Sequence, residues 1–421
     1  MRVLVVGATG FLGGCIAAHL AAAGHVVVRG QRNALGRRDA VAVDLARDHR
    51  VEDWLPRLGE IDAVVNAAGI LRESRGQTFE AIHARGPAAL FRGCARAGVG
   101  KVIQISALGA EPGAASAYHR SKAAADAALA ALPLAAVIVQ PSLVFGAGGA
   151  SATLLCGLAS LPLVALPGAG DQRIQPIHAD DLARAVVRLL ESGQWDGARI
   201  AAVGPEPLSL RAALASLRSQ LGLPRTGCVR VPMALVRAAA QLGRLRRDAL
   251  LDPDTLGMLV RGNVAPPADI AAVLGAPPRP LRAFVGAHER RAFATAGRLW
   301  WLLPLLRGAV AALWVASGVL SFGVFPMAES HALLARVGLH GAAASLALYG
   351  AAALDVALGV AIYAVRRRRW LWRLQIAVIL AYSAIVAAWL PEFWLHPFAP
   401  MVKNLPLLAA LVLLHELDDG R

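Results

Sequence analysis

Two patterns of apolar residues divide this chain. Up to about residue 295, short β-rich runs alternate with Ala-rich helical stretches. VLVVG, HVVVRG, DAVVNAAG, KVIQISALG and LAAVIVQPS read as strands, each followed by a helix or a long connection. That alternation predicts an open parallel sheet with crossover helices. The Pro-rich segment APPADIAAVLGAPPRPLRAF, 265–284, closes this part. After about residue 300 the apolar runs lengthen to four, at about 303–325, 337–365, 370–390 and 402–417. A helix needs roughly 20 apolar residues to cross a bilayer; the first three runs reach or approach that, and the fourth is marginal. Aromatics such as Trp300, Trp301, Tyr363, Trp370, Trp372, Trp389 and Trp394 gather at their ends, as in an interfacial belt. A buried soluble bundle is the competing reading, but four such runs in succession are hard to bury in so small a domain. The expected architecture is a doubly wound α/β domain over 1–295 and an all-α, four-helix transmembrane bundle over 296–421.

Composition agrees. Of 421 residues, 57% are hydrophobic, and mean hydropathy is +0.53, too apolar for an ordinary soluble chain of this size. Net charge is +15, nearly all of it arginine. Such an excess suits an anionic partner or reflects a genome biased toward arginine codons. Position decides more than the total. Arg366 to Arg369 and Arg373 sit between the second and third runs, and Arg290, Arg291 and Arg298 precede the first. The links at 326–331 and 391–404 carry almost no Lys or Arg. The positive-inside rule then predicts a multi-pass inner-membrane protein with cytoplasmic N- and C-termini. No DNA-binding motif accompanies the arginines, which excludes a nucleic-acid partner, while membrane lipid headgroups suit them. Cys15, Cys94, Cys156 and Cys228 are widely spaced without a CxxC, so neither a metal site nor a disulfide framework is expected. The opening MRVLVVGATG does not read as a signal peptide.

GATGFLG, 7–13, follows the first strand and opens a helix. Gly7 permits a tight turn, Gly10 lets backbone approach a pyrophosphate, and Gly13 lets helix pack on sheet. This is the phosphate loop of a Rossmann domain, with Gly7, Thr9, Gly10, Phe11, Leu12 and Gly13 as cofactor contacts. The second strand ends in VRGQRN, with Arg29 and Arg32 where an NAD site carries an acid. Arginine pairs with a 2′-phosphate, so NADP is preferred, with NAD as the alternative. Asp44 and Leu45 follow the third strand and are placed to contact adenine; Ala67, Ala68 and Gly69, ending the fourth, leave room for the cofactor.

Tyr118 and Lys122 in AYHRSK are four apart and share a helix face. A nearby ammonium is expected to lower the phenol's pKa and fit it for acid/base work. Ser106, ending the fifth strand, is expected to hydrogen-bond a substrate oxygen beside it. GATGFLG, NAAG, ISALGA, YHRSK, QPSLVFG and QPIHADDLARAV, in that order, resemble the short-chain dehydrogenase/reductase superfamily. The likeness covers roughly residues 1–230 and is strongest to its extended or atypical branch: epimerase/dehydratase-like proteins and the related accessory subunit of respiratory complex I. The resemblance implies Tyr118 as acid/base, Lys122 as ribose binder and Ser106 as substrate orienter. It implies Pro141 and Ser142 near the nicotinamide, and His178 and Asp180 bordering the substrate cleft. His83 stands about where extended members carry Asn; it either replaces that Asn in a proton path or caps local backbone.

The last segment, LPEFWLHPFAPMVKNLPLLAALVL, and the Gly-rich second run resemble the DoxX-like membrane family. Within that run Asp355 is costly at membrane depth, hence a functional candidate, with His340 or Tyr382 as its expected partner; the alternative is a packing hydrogen bond. Ala353 and Ala357 fit small-xxx-small helix packing. The expected function is a membrane-tethered NAD(P)H-dependent oxidoreductase or epimerase acting on a small molecule, hydrophobic or lipid-linked. The alternative is a non-catalytic NADPH-sensing or assembly module for a respiratory or quinone-linked partner.

Overall fold

Strands whose apolar residues run on without alternation must be covered on both faces. VLVV, AVVN and KVIQI are such strands, and all are buried almost throughout, the polar Asn66, Lys101 and Gln104 included. The computed structural model describes every residue except 35, 38, 244–251, 366, 398 and 419–421, and divides into two units, Met1–Arg298 and Leu299–Arg421. Arg366, one of the basic cluster, lies outside the described residues.

The first unit begins β1 (Arg2–Val6), α1 (Phe11–Ala22), β2 (Val26–Gln31), β3 (Ala40–Ala42), α2 (Val51–Leu58) and β4 (Ala63–Asn66). A π-helical turn, Glu80–Arg85, leads into α3 (Gly86–Ala97), then β5 (Lys101–Ile105), α4 (Ala117–Ala130) and β6 (Ala136–Pro141). Next come β7 (Val144–Phe145), α5 (Ala150–Ser160), β8 (Val164–Pro167), β9 (Arg173–Ile174), β10 (Ile177–His178), α6 (Ala179–Glu191) and β11 (Arg199–Ala202). The unit continues through β12 (Leu208–Ser209), α7 (Leu210–Gln220), β13 (Cys228–Val231), α8 (Met233–Gly243), α9 (Pro253–Arg261) and α10 (Ala268–Leu274).

Seven strands form one parallel sheet in the order β11-β6-β5-β4-β1-β2-β3. One face packs Ile16, Leu20, Leu182 and Leu189 of α1 and α6; the other packs Trp54, Leu58, Leu90 and Phe91 of α2 and α3. The strand order reverses between β1 and β4. At such a switch the loops leaving the carboxyl ends part and open a crevice. The segments after β1, β4, β5 and β6 all emerge there.

The second unit is helical. α11 (Arg290–Val319) enters it and ends in a π turn at Leu320–Val324; α12 (Met327–Arg336), α13 (Gly341–Ala364), α14 (Arg369–Trp389), α15 (Glu392–Leu395) and α16 (Asn404–Leu417) follow. Three helical spans, Arg290–Val324, Gly341–Ala364 and Arg369–Trp389, are long and apolar enough to cross a membrane. At 14 residues α16 is shorter, about 21 Å by its rise.

Close packing here runs through glycines rather than through Ala353 and Ala357, which are exposed. A Cβ on Gly318 would stand 2.5 Å from the Ala352 carbonyl oxygen, and one on Gly359 2.7 Å from the Val315 side chain. Asp355 also differs from expectation. Its carboxylate accepts from Ser317 of α11 at 2.8 Å, not from His340 or Tyr382, so it clamps the same two helices. Part of the basic cluster turns inward: Arg368 donates to the Ile362 carbonyl at 2.7 Å and to the buried Asp418 at 3.4 Å, a carboxylate that Arg307 of α11 also reaches at 2.8 Å. Arg373 donates to His415 at 2.9 Å.

Candidate active site

Gly7 turns the chain at φ +84°, where an L side chain is strained. The turn is also tight: a Cβ at Gly7 would lie 2.8 Å from the Ala68 Cα, and one at Gly13 2.2 Å from the Gly7 carbonyl oxygen. Gly10 caps α1 with extended backbone and no side chain, and Thr9 and Gly10 are exposed. The first amides of α1 therefore face the crevice unobstructed, as an anion requires. Phe11 is spent on packing, its ring 2.9 Å from where a Gly149 Cβ would stand, and Leu12 is half-buried.

Behind the loop, Asn66 donates to Gln104 at 2.8 Å and accepts from the Ala68 amide at 3.3 Å, holding the turn of Ala67, Ala68 and Gly69. At the end of β2, Arg29 faces Asp39 at 3.6 Å, and Arg37 holds the same carboxylate at 2.9 Å. Arg32 is exposed at the strand's tip. Asp44 accepts from the Ala46 amide at 3.1 Å, and Leu45 is buried with its carbonyl on His49.

Ser116 caps α4, accepting the His119 amide at 3.2 Å. Three polar residues then recur every fourth position: Tyr118, Lys122 and Asp126. The Lys122 ammonium is buried and donates to the carbonyls of Ile105 (3.0 Å) and Ala68 (3.4 Å), bridging the ends of β5 and β4. Burial pulls its pKa down to about 8, with Asp126 opposing. The expected lowering of the phenol is not what the structure has: burial pushes Tyr118 up to about 12. Desolvation of the phenolate is the cause, and the Lys122 ammonium gives its protons to backbone oxygens.

Ser106 requires a second correction. Its hydroxyl donates to the buried carboxylate of Asp126 at 2.6 Å, an acceptor stronger than a neutral substrate oxygen. No motif marks Asp126 in the sequence; the signal for it is its i, i+4 spacing from Lys122.

His83 lies within the π-helical turn and meets Tyr118 edge to face, ring centroids 5.4 Å apart. Its Nε2 accepts the Ile70 amide at 2.9 Å, so the neutral ring carries its proton on Nδ1 and gives it to Ser121 at 3.0 Å. Ser121 in turn donates to the Tyr118 carbonyl at 2.8 Å. Both nitrogens are used, and burial followed by the Lys122 charge drives the His83 pKa down to about 2.

Pro141 ends β6, and Ser142 gives its hydroxyl to the Gln175 carbonyl at 2.5 Å. His178 caps α6 by accepting the Asp180 amide at 3.2 Å, packed against Phe284 and Phe145. Burial, then Arg279, lowers its pKa. Where no metal ligands were expected, α1 and α6 bring Cys15, His19 and Asp180 within 4.8 Å of one another. The thiol donates to Asp180 at 3.8 Å, and His19 bonds the Cys15 carbonyl at 3.0 Å. Burial and then the Asp180 charge raise the thiol to about 11, so it stays protonated as the donor to that carboxylate.

The sequence profile of the NAD dependent epimerase/dehydratase family matches residues 3–204, and that of the DoxX-like family matches 311–412. Among curated proteins, NADH dehydrogenase [ubiquinone] 1 alpha subcomplex subunit 9, mitochondrial, of Arabidopsis thaliana is 29% identical over 253 residues, 56% of this chain and 61% of that protein. The ceramide reductase of Caulobacter vibrioides is 29% identical over 189 residues, 44% of this chain and 59% of that protein. The chain thus spans about three fifths of these relatives' length. Among solved structures, human epimerase family protein SDR39U1 (isoform 2), determined with NADPH, superposes with a TM-score of 0.52 and 21% identity over 70% of this chain and 99% of its own.

Proposed function

Because the chain joins a domain of the NAD dependent epimerase/dehydratase family to one of the DoxX-like family, we propose that it is a membrane-tethered NADPH-dependent reductase of a long-chain keto lipid. One observation carries the reading: the Lys122 ammonium bridges the ends of β4 and β5, with Tyr118 one turn before it on α4, beside a Gly7–Gly13 turn that has no room for side chains. The cradle fits a dinucleotide, since Gly7 and Gly13 have no room for a side chain and Gly10 presents none. A bound nicotinamide supplies the hydride. The α1 amides would hold the pyrophosphate, Arg32 the 2′-phosphate, and Lys122 the ribose. Tyr118, protonated throughout the physiological range, would donate its hydroxyl hydrogen to the substrate's carbonyl oxygen. A phenol raised by burial is well kept in the acid form that reduction needs.

The lipid substrate rests on the fusion to three apolar spans and on the ceramide reductase relative. On this reading both chain ends are cytoplasmic and the protein sits in the inner membrane, in keeping with the arginines beside the spans. A second reading, a nucleotide-sensing or assembly module, draws on the complex I relative and on Ser106 being held by Asp126 instead of facing substrate.

Full-length protein in lipid nanodiscs with NADPH and a keto lipid decides between them. The proposal expects loss of NADPH absorbance with alcohol formed in equal amount, abolished by Tyr118→Phe while NADPH still binds. Tight NADPH binding without turnover on any keto lipid would favour the second reading.

A further inference from the structure

The lobe beside the Tyr118 site turns its apolar side chains outward. In α8, Val236 and Ala240 face Leu256 of α9. Leu235 and Leu242, seven residues apart and so on one helix face, are 61% and 67% exposed. Val229 of β13, Val260 of α9 and the following Val264 are exposed as well. A helix of a soluble surface does the reverse, hiding its larger apolar residues and showing its polar ones.

Charge identifies the partner. From Glu206 to Asp248 the chain has no acidic residue between, yet it carries eight arginines. Arg211 and Arg218 are spent on backbone carbonyls, at 2.8 and 2.7 Å. Arg225, Arg230 and Arg237 are exposed around the apolar residues. On the β13–α8 part of the lobe leucines are flanked by arginines with no acid among them, while α9 brings Asp254 and an Asp252 already paired with Arg72; the net surface suits an anionic bilayer, where apolar burial and headgroup attraction add.

The lobe also borders the chemistry. Arg72, just past Ala67–Gly69, pairs with Asp252, the cap of α9, at 2.8 Å. Arg261 at the far end of α9 is close enough to act on His119, the neighbour of Tyr118, though burial weighs more on that imidazole.

We propose that this lobe, residues 225–243 together with α9, docks on the surface of an anionic bilayer and there passes an amphiphilic substrate to Tyr118. Only the second half rests on the keto-lipid reading; the docking does not depend on it.

Cys228 lies in the lobe and is exposed, whereas Cys94 and Cys156 are buried. In a Cys15→Ser background it can carry a fluorophore on full-length protein in nanodiscs doped with nitroxide-labelled lipid. Phosphatidylglycerol discs should quench the label at least about twofold more than phosphatidylcholine discs, and high salt or Arg230→Glu with Arg237→Glu should remove the difference. Leu242→Ser should weaken quenching in both lipids. A label at exposed Glu60, as Glu60→Cys in a chain with Cys228→Ser, should stay unquenched. Quenching of Cys228 no stronger than at position 60, or equal in the two lipids, would overturn the docking. So would a lobe shielded from protease in native membranes but not in discs, since its occupant would then be a protein. Turnover is read in parallel: quenching without keto-lipid reduction leaves the docking standing and rejects the reductase reading alone.

Discussion

Ser106 gives its hydroxyl to Asp126 across 2.6 Å, deep beneath the Tyr118–Lys122 face of α4. The carboxylate also has Gln140 at 3.5 Å and Arg199 at 3.4 Å, while its second oxygen finds no partner among the described residues. Removing Ser106 therefore strips the shortest bond from a buried acid whose pKa burial already raises. Ser106→Ala should cost stability, about 1–3 kcal/mol by thermal or denaturant unfolding. Turnover per folded molecule should fall less than about tenfold, far below the loss expected for a group that touches substrate in the transition state. A loss of about a hundredfold at unchanged stability would return Ser106 to the role its position after β5 suggested.

Arg32 stands exposed where β2 ends, whereas Arg29 is shared with Asp39 at 3.6 Å. The exposed guanidinium, unpaired among the described residues, is a better partner for a 2′-phosphate than the paired one. Arg32→Ala should raise the NADPH dissociation constant about 10- to 100-fold, the worth of a charge-assisted bond, and leave NADH nearly unchanged. Arg29→Ala should do less. Titration by quenching of tryptophan fluorescence measures both; equal losses for the two cofactors would remove Arg32 from the phosphate site.

His83 predicts a dependence on acid. Its folded pKa is about 2 against an ordinary 6.5, so between those values the unfolded chain binds a proton that the folded one refuses. Stability rises with pH wherever the unfolded state holds more protons. His83 thus costs the fold nothing above pH 6.5 and progressively destabilises it as pH falls below that value. His83→Gln, able to accept the Ile70 amide without titrating, should flatten the loss of melting temperature between pH 6.5 and pH 4. An unchanged slope would show that other groups carry the acid sensitivity.

The parallel sheet was legible because β1, β4 and β5 are runs of mainly β-branched apolar residues without the alternation of a one-sided strand, as two covered faces demand. The glycine loop was legible because Gly7 and Gly13 answer to backbone geometry alone. Roles that depend on where a side chain finds its best partner were not. Ser106 ends its strand as expected, but a carboxylate twenty residues later claims its proton. The Tyr118–Lys122 spacing gives a shared face, yet says nothing of the desolvation that raises the phenol. The arginine run marks a helix boundary, but nothing in four like letters tells that Arg368 reaches back to the Ile362 carbonyl.

Helix packing in the second unit supplies the sharpest contrast between spacing and contact. Ala353 and Ala357 have the spacing of a packing motif but face outward, while Gly318 and Gly359 leave no room for a methyl group. The missing Cβ atoms let α11 and α13 approach closely enough for Ser317 to reach Asp355. In lipid, where apolar side chains gain nothing by leaving hydrocarbon, such backbone approach and interhelical bonds are what hold helices together. Gly318→Val must push the helices apart, lengthening the Ser317–Asp355 bond, at about 1–3 kcal/mol for overpacking. Ala353→Val and Ala357→Val should change stability by no more than about 0.5 kcal/mol, the range of surface substitutions. Unfolding of full-length protein in mixed micelles, followed by tryptophan fluorescence from Trp314 and Trp372 among others, compares the three variants directly. If the alanine variants proved the more damaging, the helix pair would pack through the face that the spacing indicated.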